Sequence, residues 1–287
     1  SITALLDSLG VKSIGWDPGG NLSTGTIHQL WMKNVWDSVT QSEKKYIDSR
    51  DLYLNHMDPL ESVVTIFFRK LDDGVLNSNN IMGATLCLWP DRRVASENDI
   101  IRMNPVYPGM ITFAERSWRG RGLSGWRTNL KNENEKNDFE AFEKRLLDHK
   151  TLYFKDKPFP YYQQSDITWN LYGPFSNGGD EAKSFSPEFG KLDRNAALKV
   201  TGGTVILRHW WDPSVKGVLP EPEENTTWYA TTKIWSSEDT TRNAWIGFND
   251  LSRSTATDSP SPGTWDNRQS KIWVNGQVVE PPDWEHG

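Results

Sequence analysis

A chain of 287 residues and 32.8 kDa makes one large domain or two of ordinary size, long enough to bury a core. Thirty-two Lys and Arg stand against 38 Asp and Glu, a net charge of −6 with no Lys/Arg-rich run, so the electrostatic footprint of a nucleic-acid or anionic-membrane binder is missing. The mean hydropathy is −0.66 and no apolar stretch approaches roughly 18 residues, which excludes a bilayer-spanning helix. The chain opens on apolar residues at 2, 5, 6 and 9, the spacing of a buried helix face, with Gly10 where a C-cap belongs. It has no initiator Met, charged n-region or cleavage pattern, so a fragment, a processed chain or a truncated piece is expected. Short apolar runs follow at Lys12 to Trp16, Thr26 to Trp31, Lys45 to Ser49 and Ile81 to Trp89, each read as a buried strand. Asn21-Leu22-Ser23, like Asn225-Thr226-Thr227 later, fits the glycosylation acceptor pattern, which matters only for a secreted eukaryotic chain. Between the third and fourth runs, Asp58 can cap a helix whose first turn holds Pro59. Cys87, the one cysteine, excludes an internal disulfide and reads as a small core hydrophobe.

Helices are expected from Pro105 to Trp118 and over 137–153, where Phe139, Phe142 and Leu146 share a face; residues 119–136 read as a surface loop. Strands alternating with helices argue for a parallel α/β sheet or barrel. The composition changes at Lys157-Pro-Phe-Pro160. Short runs at 167–172, 197–200, 205–210, 227–235, 244–248 and 271–274 then suggest an antiparallel sandwich, with the boundary near residue 160. The expectation is α/β followed by all-β, in domains 1–159 and 160–287.

Tryptophan stands out: 15 residues, about one in nineteen. The ends of the first strands carry Trp16-Asp17, Trp31, Tyr53 with Asn55, and Trp89-Pro90-Asp91. In a barrel these would converge on one mouth as an aromatic cup with a polar floor, the form of a sugar pocket. The alternative is that each indole fills the core.

Five segments in order, Ser13-Ile-Gly-Trp-Asp17, Gly25-Thr-Ile-His-Gln-Leu-Trp31, Tyr46-Ile-Asp-Ser-Arg-Asp-Leu-Tyr-Leu-Asn55, Gly83-Ala-Thr-Leu-Cys-Leu-Trp-Pro-Asp91 and Met110-Ile-Thr-Phe-Ala-Glu-Arg-Ser-Trp118, resemble the second half of the barrel of family-20 glycoside hydrolases, the β-N-acetylhexosaminidases. The resemblance covers about the first 120 residues. It implies the second half of a (β/α)8 TIM barrel followed by a jelly-roll-like β-sandwich. In that family the substrate's 2-acetamido oxygen attacks the anomeric carbon. The resemblance therefore implies that Trp16, Trp31 and Trp89 cage the acetyl methyl, that Tyr53 donates its hydroxyl to the acetamide oxygen, and that Asn55 and Asp91 bind sugar hydroxyls. Better-known members carry Glu after Trp-Gly at the last position, so Trp-Pro-Asp is a departure at Asp91. Glu115 and Arg116 match an Ala-Glu-Arg helix and read as a structural ion pair.

The family's catalytic Asp-Glu pair lies upstream of everything in this chain, so the acid is expected to be missing. Gly178-Gly179-Asp180-Glu181 lacks the preceding His and reads as a turn. His28 and His56 read as core or rim histidines, the five histidines show no metal-ligand spacing, and no nucleotide-binding glycine motif occurs, so neither metal nor cofactor is expected. In the second domain the segments 245–254, 263–266 and 271–276 resemble jelly-roll modules appended to such hydrolases, and Trp265 and Trp284 are candidates for surface stacking, with packing against the barrel the equal alternative. The expected function is thus part of an exo-acting β-N-acetylhexosaminidase of the periplasm or extracellular space, acting on N-acetylhexosamine-containing glycans. The chain would be completed by the missing N-terminal half of the barrel in cis or in trans. A non-catalytic carbohydrate-binding protein and an interaction module with purely structural aromatics are the alternatives.

Overall fold

The computed structural model describes residues 2–32, 44–56, 58–71, 79–89, 96–192, 195–209, 211–241, 243–248 and 260–281, the side chains of His56 and Met103 excepted. It divides into two compact units, residues 1–89 with 105–127, and residues 90–104 with 128–287. The first unit is mixed α/β on a parallel sheet; the second carries antiparallel sheets.

The first unit opens with α1 (Ile2–Ser8). It ends as its sequence suggests: Gly10 takes φ 71°, its N–H donates to Asp7 O at 3.0 Å and that of Val11 to Leu6 O at 3.0 Å. That is the Schellman closure, which favours glycine at the left-handed position. The expected buried face of this helix is corrected by the structure, for Ile2, Leu5 and Leu9 are all exposed. Strands β1 (Ile14–Asp17), β2 (Ile27–Leu30), β3 (Tyr46–Asp48) and β4 (Ile81–Ala84) pair in parallel in the order β1-β2-β3-β4. Among the described residues β1 and β4 are the sheet's edges.

Between β3 and β4 comes α2 (Pro59–Phe68). Its Asp58 cap accepts from the N–H groups of Leu60 at 2.9 Å and Glu61 at 3.1 Å, and Pro59 occupies the first turn, where no intrahelical N–H is needed. Asp58→Ala is expected to cost about 1 kcal/mol in urea unfolding, and a serine at that position to recover most of it. Nine of its ten residues are buried, and its polar members find partners: Glu61 accepts from the Trp126 indole at 3.3 Å and the Thr65 hydroxyl donates to Arg127 O at 2.7 Å. Ile66 joins Leu52 and Leu54 in a core that also receives Val106 and Phe113 of α4 (Val106–Arg119).

Period-two alternation gives the sheet two unlike faces. Leu30, Tyr46 and Asp48 lie on one and are fully buried. Ile14, Trp16, Gln29 and Ile47 lie on the other, where burial is partial or lost. On the buried face the Asp48 carboxylate is gripped by Arg50 through Nε at 2.9 Å and Nη2 at 3.0 Å, and by Arg69 Nη2 at 3.4 Å. Arg69 caps the C-terminus of α2 and also donates to Arg50 O at 3.2 Å, so one ionic cluster ties a strand end to a helix end. Each member of the expected Glu115–Arg116 pair has a further partner. Buried Arg116 donates to Phe67 O at 2.8 Å and to Gly120 O, while Glu115 faces Arg119 at 3.9 Å.

The second unit begins with α3 (Glu97–Met103) and includes α5 (Glu133–Leu152), whose Asn132 cap accepts from Glu135 N at 2.9 Å. Buried Glu143 on α5 accepts from the Tyr161 hydroxyl at 2.6 Å, from Gln164 N at 2.8 Å, from Ser165 N at 3.2 Å and from the Ser165 hydroxyl. Burial, then the adjacent Glu143 carboxylate, holds the Tyr161 phenol well above its usual range. Strand β5 (Thr168–Ser176) sits between β6 (Leu198–Thr201) and β7 (Thr226–Thr231) in an antiparallel sheet. A hairpin of β8 (Ile272–Val274) and β9 (Gln277–Val279) turns at Asn275-Gly276, where φ is positive at both residues (52° and 80°), as a type I′ turn demands.

The strands expected at 205–210 and 244–248 are absent among the described residues of those segments. Ile206 O and Leu207 O instead accept from Val218 N at 2.8 Å and Leu219 N at 3.1 Å. This loop approaches so closely that a Cβ on Gly217 would meet Leu207 O at 2.4 Å. Trp265 is likewise corrected from surface candidate to core: it is 7% exposed, and its indole donates to Val279 O at 2.9 Å. Trp284 and Trp210 lie outside the described residues.

Candidate functional site

Parallel strands end on the same side of a sheet, so whatever follows each of them shares one rim. On this rim the Trp16 and Trp89 rings meet edge to face, centroids 5.8 Å apart and planes at 62°. Trp16 is the penultimate residue of β1; Trp89 lies beyond β4. Trp31, directly after β2, donates its backbone N–H to Asp17 O at 3.3 Å and its indole N–H to Pro18 O, which ties it to the end of β1. The three rings are 37%, 40% and 44% exposed, values that belong neither to core filling nor to free surface side chains.

Beyond the regular strands, residues 52–54 and 85–88 continue side by side. Cys87 N donates to Leu52 O at 2.7 Å, Leu54 N to Cys87 O at 2.9 Å, and Tyr53 bridges Cys87 in parallel. Tyr53 and Asn55 are both buried, each only 8% exposed. Asn55 Oδ1 accepts the backbone N–H of Trp89 at 3.0 Å, so the expected hydroxyl binder also fixes the segment that bears an indole. Asp91 lies outside the described residues, as does the side chain of His56.

Two further polar features belong to this end of the sheet. His28 Nδ1 stands 2.6 Å from Asp17 Oδ2, and the imidazole is 5% exposed, a buried histidine held by one carboxylate. Gln29 Nε2 donates to Ser49 Oγ at 2.9 Å on the open face. Sequence reasoning left Gln29 and Ser49 unmarked, although alternation puts Gln29 on the face of Trp16, its register partner. The segment Gly178 to Glu181 is an exposed turn as expected: Asn177 Oδ1 accepts from Gly179 N at 2.9 Å and Asp180 Oδ1 from Ala182 N at 3.0 Å. Among the described residues no group of three or more His, Cys, Asp and Glu stands close enough to hold a metal ion, and no helix is long and apolar enough to cross a membrane.

The rim thus offers half-exposed aromatic faces, with the buried Tyr53 and Asn55 on the segment that follows β3. Such a surface takes a small ligand that is apolar on one face and hydrogen-bonding at its edge. No family model matches the chain, and no curated protein sequence matches it.

Proposed function

We propose that this rim holds the 2-acetamido group of a terminal N-acetylhexosamine. In this reading the chain is the cage-bearing part of an exo-acting, retaining β-N-acetylhexosaminidase, its four parallel strands being half of a (β/α)8 barrel. The observation that carries the reading is the edge-to-face meeting of Trp16 and Trp89, from opposite edges of the sheet, at the strand ends where an active site of such a barrel is built. Trp16, Trp31 and Trp89 enclose the acetyl methyl. The Tyr53 hydroxyl donates to the acetamide oxygen, aligning it on the anomeric carbon and stabilising the oxazolinium that forms as the glycosidic bond breaks. Asn55 and Asp91 take sugar hydroxyls. The proton for the leaving oxygen comes from an Asp-Glu pair that this chain does not supply, borne by the other half of the barrel in cis or in trans. A periplasmic or extracellular setting is what the resemblance implies. The second domain reads as an accessory jelly-roll-like sandwich.

Titration of the chain with N-acetylglucosamine is expected to change its tryptophan fluorescence, with glucose about tenfold weaker and Trp16→Ala weakened by about the same factor, near 1.4 kcal/mol. An unaltered spectrum at saturating N-acetylglucosamine would overturn the sugar reading. The isolated chain is expected to leave a chromogenic N-acetylglucosaminide intact; turnover by it would overturn the assignment of the acid to another segment. A non-catalytic carbohydrate-binding protein is the second reading, favoured by an aromatic rim to which the resemblance assigns no catalytic Asp-Glu pair. That reading stands if sugar binds and no added barrel half restores hydrolysis.

A further inference from the structure

Trp31 is held through the end of β1. Its backbone N–H donates to Asp17 O at 3.3 Å and its indole N–H to Pro18 O at 2.5 Å, while the ring itself is 40% exposed. An indole has a single donor, so the place of the Pro18 carbonyl decides where that donor points, and with it the torsions of the side chain. The group that steadies this chain end lies on the other face of the sheet. Asp17 and His28 are diagonal neighbours across the ladder, in which Asp17 pairs with Leu30 and His28 with Gly15, and alternation sends both side chains to the face opposite Trp16. There His28 Nδ1 stands 2.6 Å from Asp17 Oδ2. A carboxylate only accepts, so Nδ1 carries the proton and donates. The imidazole is enclosed at 5% exposure, whereas residues 18–26, which follow Asp17, contain no helix or strand.

We propose that Asp17 and His28 are a positioning pair: the buried imidazole anchors the Asp17 carboxylate and so the end of β1, and the carbonyls of Asp17 and Pro18 then set the Trp31 ring at the rim. Neither side chain reaches the ligand itself; both act through Trp31. The consequence for ligand binding rests on the sugar reading above. As the core or rim histidine that the sequence suggests, His28 would stabilise the sheet, and its loss would leave the Trp31 indole where it is.

The test uses protein labelled with ¹⁵N at the indoles, the Trp31 signal being assigned by Trp31→Phe. His28→Ala is expected to move the Trp31 indole proton upfield and leave the indoles of the second unit in place, while His28→Asn, which keeps an N–H at the same distance along the side chain, returns it toward its original position. Asp17→Ala, at a side chain 21% exposed, is expected to give the same displacement, and Asp17→Asn, whose amide oxygen still accepts, little of it; these two variants decide if His28→Ala does not fold. The Kd for N-acetylglucosamine is expected to rise about tenfold with either alanine and to return to within about threefold with either asparagine. A Trp31 signal unchanged in the folded alanine variants overturns the proposal, as does a moved signal with unchanged affinity. If the unmodified protein binds no N-acetylglucosamine, the sugar reading falls, and the indole signal alone decides whether the pair sets Trp31.

Discussion

Asp48→Ala is expected to destabilise the parallel-sheet unit by about 3–5 kcal/mol, enough to abolish its cooperative transition in urea at room temperature. The carboxylate is wholly buried and bonded to two guanidinium groups that are themselves 1% and 8% exposed. Its removal leaves two desolvated cations facing each other, and the cost comes from the charges stranded more than from the attraction lost. Asp48→Asn should cost less, since the amide oxygen still accepts from one arginine. Exchanging Asp48, Arg50 and Arg69 together for apolar residues of similar volume should be milder than the single alanine. Fluorescence of the nearby indoles during urea titration measures all three, and a single alanine variant as stable as the parent would refute the account.

The second large effect lies in the other unit. Glu143→Ala removes one buried carboxylate that satisfies a phenol, a hydroxyl and two backbone amides, with the Tyr161 contact at 2.6 Å. Four donors lose their acceptor at a site 1% exposed, and the expected loss is again on the order of 3–5 kcal/mol. Glu143→Gln should cost roughly half as much, because its amide carbonyl still serves one pair of donors while its NH2 group opposes the other. Differential scanning calorimetry, with the transition of this unit followed through its near-ultraviolet tyrosine signal, separates the two variants.

Local rules made the helices and the parallel strands legible. Asp58-Pro59 announces α2 because a carboxylate beside a residue without an N–H suits a helix start and little else. The run Thr26 to Trp31 read correctly as a strand because a short segment with Ile27, Leu30 and Trp31, bounded by polar loops, is too short for a helix. The sequence misled where the outcome depended on a partner. The periodic face of Ile2, Leu5 and Leu9 is helical but uncovered, since periodicity reports a helix's asymmetry and not what lies against it. Residues 205–209 are apolar enough for a strand, yet their carbonyls are taken by the loop at 218–219. Trp265 sits in a loop of Gly, Thr and Asp that resembles surface, and is buried because that loop closes on itself, Asp266 Oδ1 accepting from Arg268 N at 2.9 Å and Ser270 N at 3.0 Å.

At the rim, the indoles were findable because each ends a recognisable run. The Gln29–Ser49 bond was not, since Gln29 lies in β2 and Ser49 just beyond β3, twenty residues on, and only register aligns them. Asp48-Ser49-Arg50 looks like any charged loop in the linear chain; only burial reveals that it is an interior anchor.

The salt cluster and Trp16 lie on opposite faces of the same sheet, while Trp31 and Trp89 lie beyond its strands, and that separation governs how such a molecule can change over generations. Substitutions in the segments carrying Trp16, Trp31 and Trp89 alter what the surface recognises without touching Asp48, Arg50 or Arg69. Ligand preference can therefore drift among descendants of this chain while the frame beneath it stays the same.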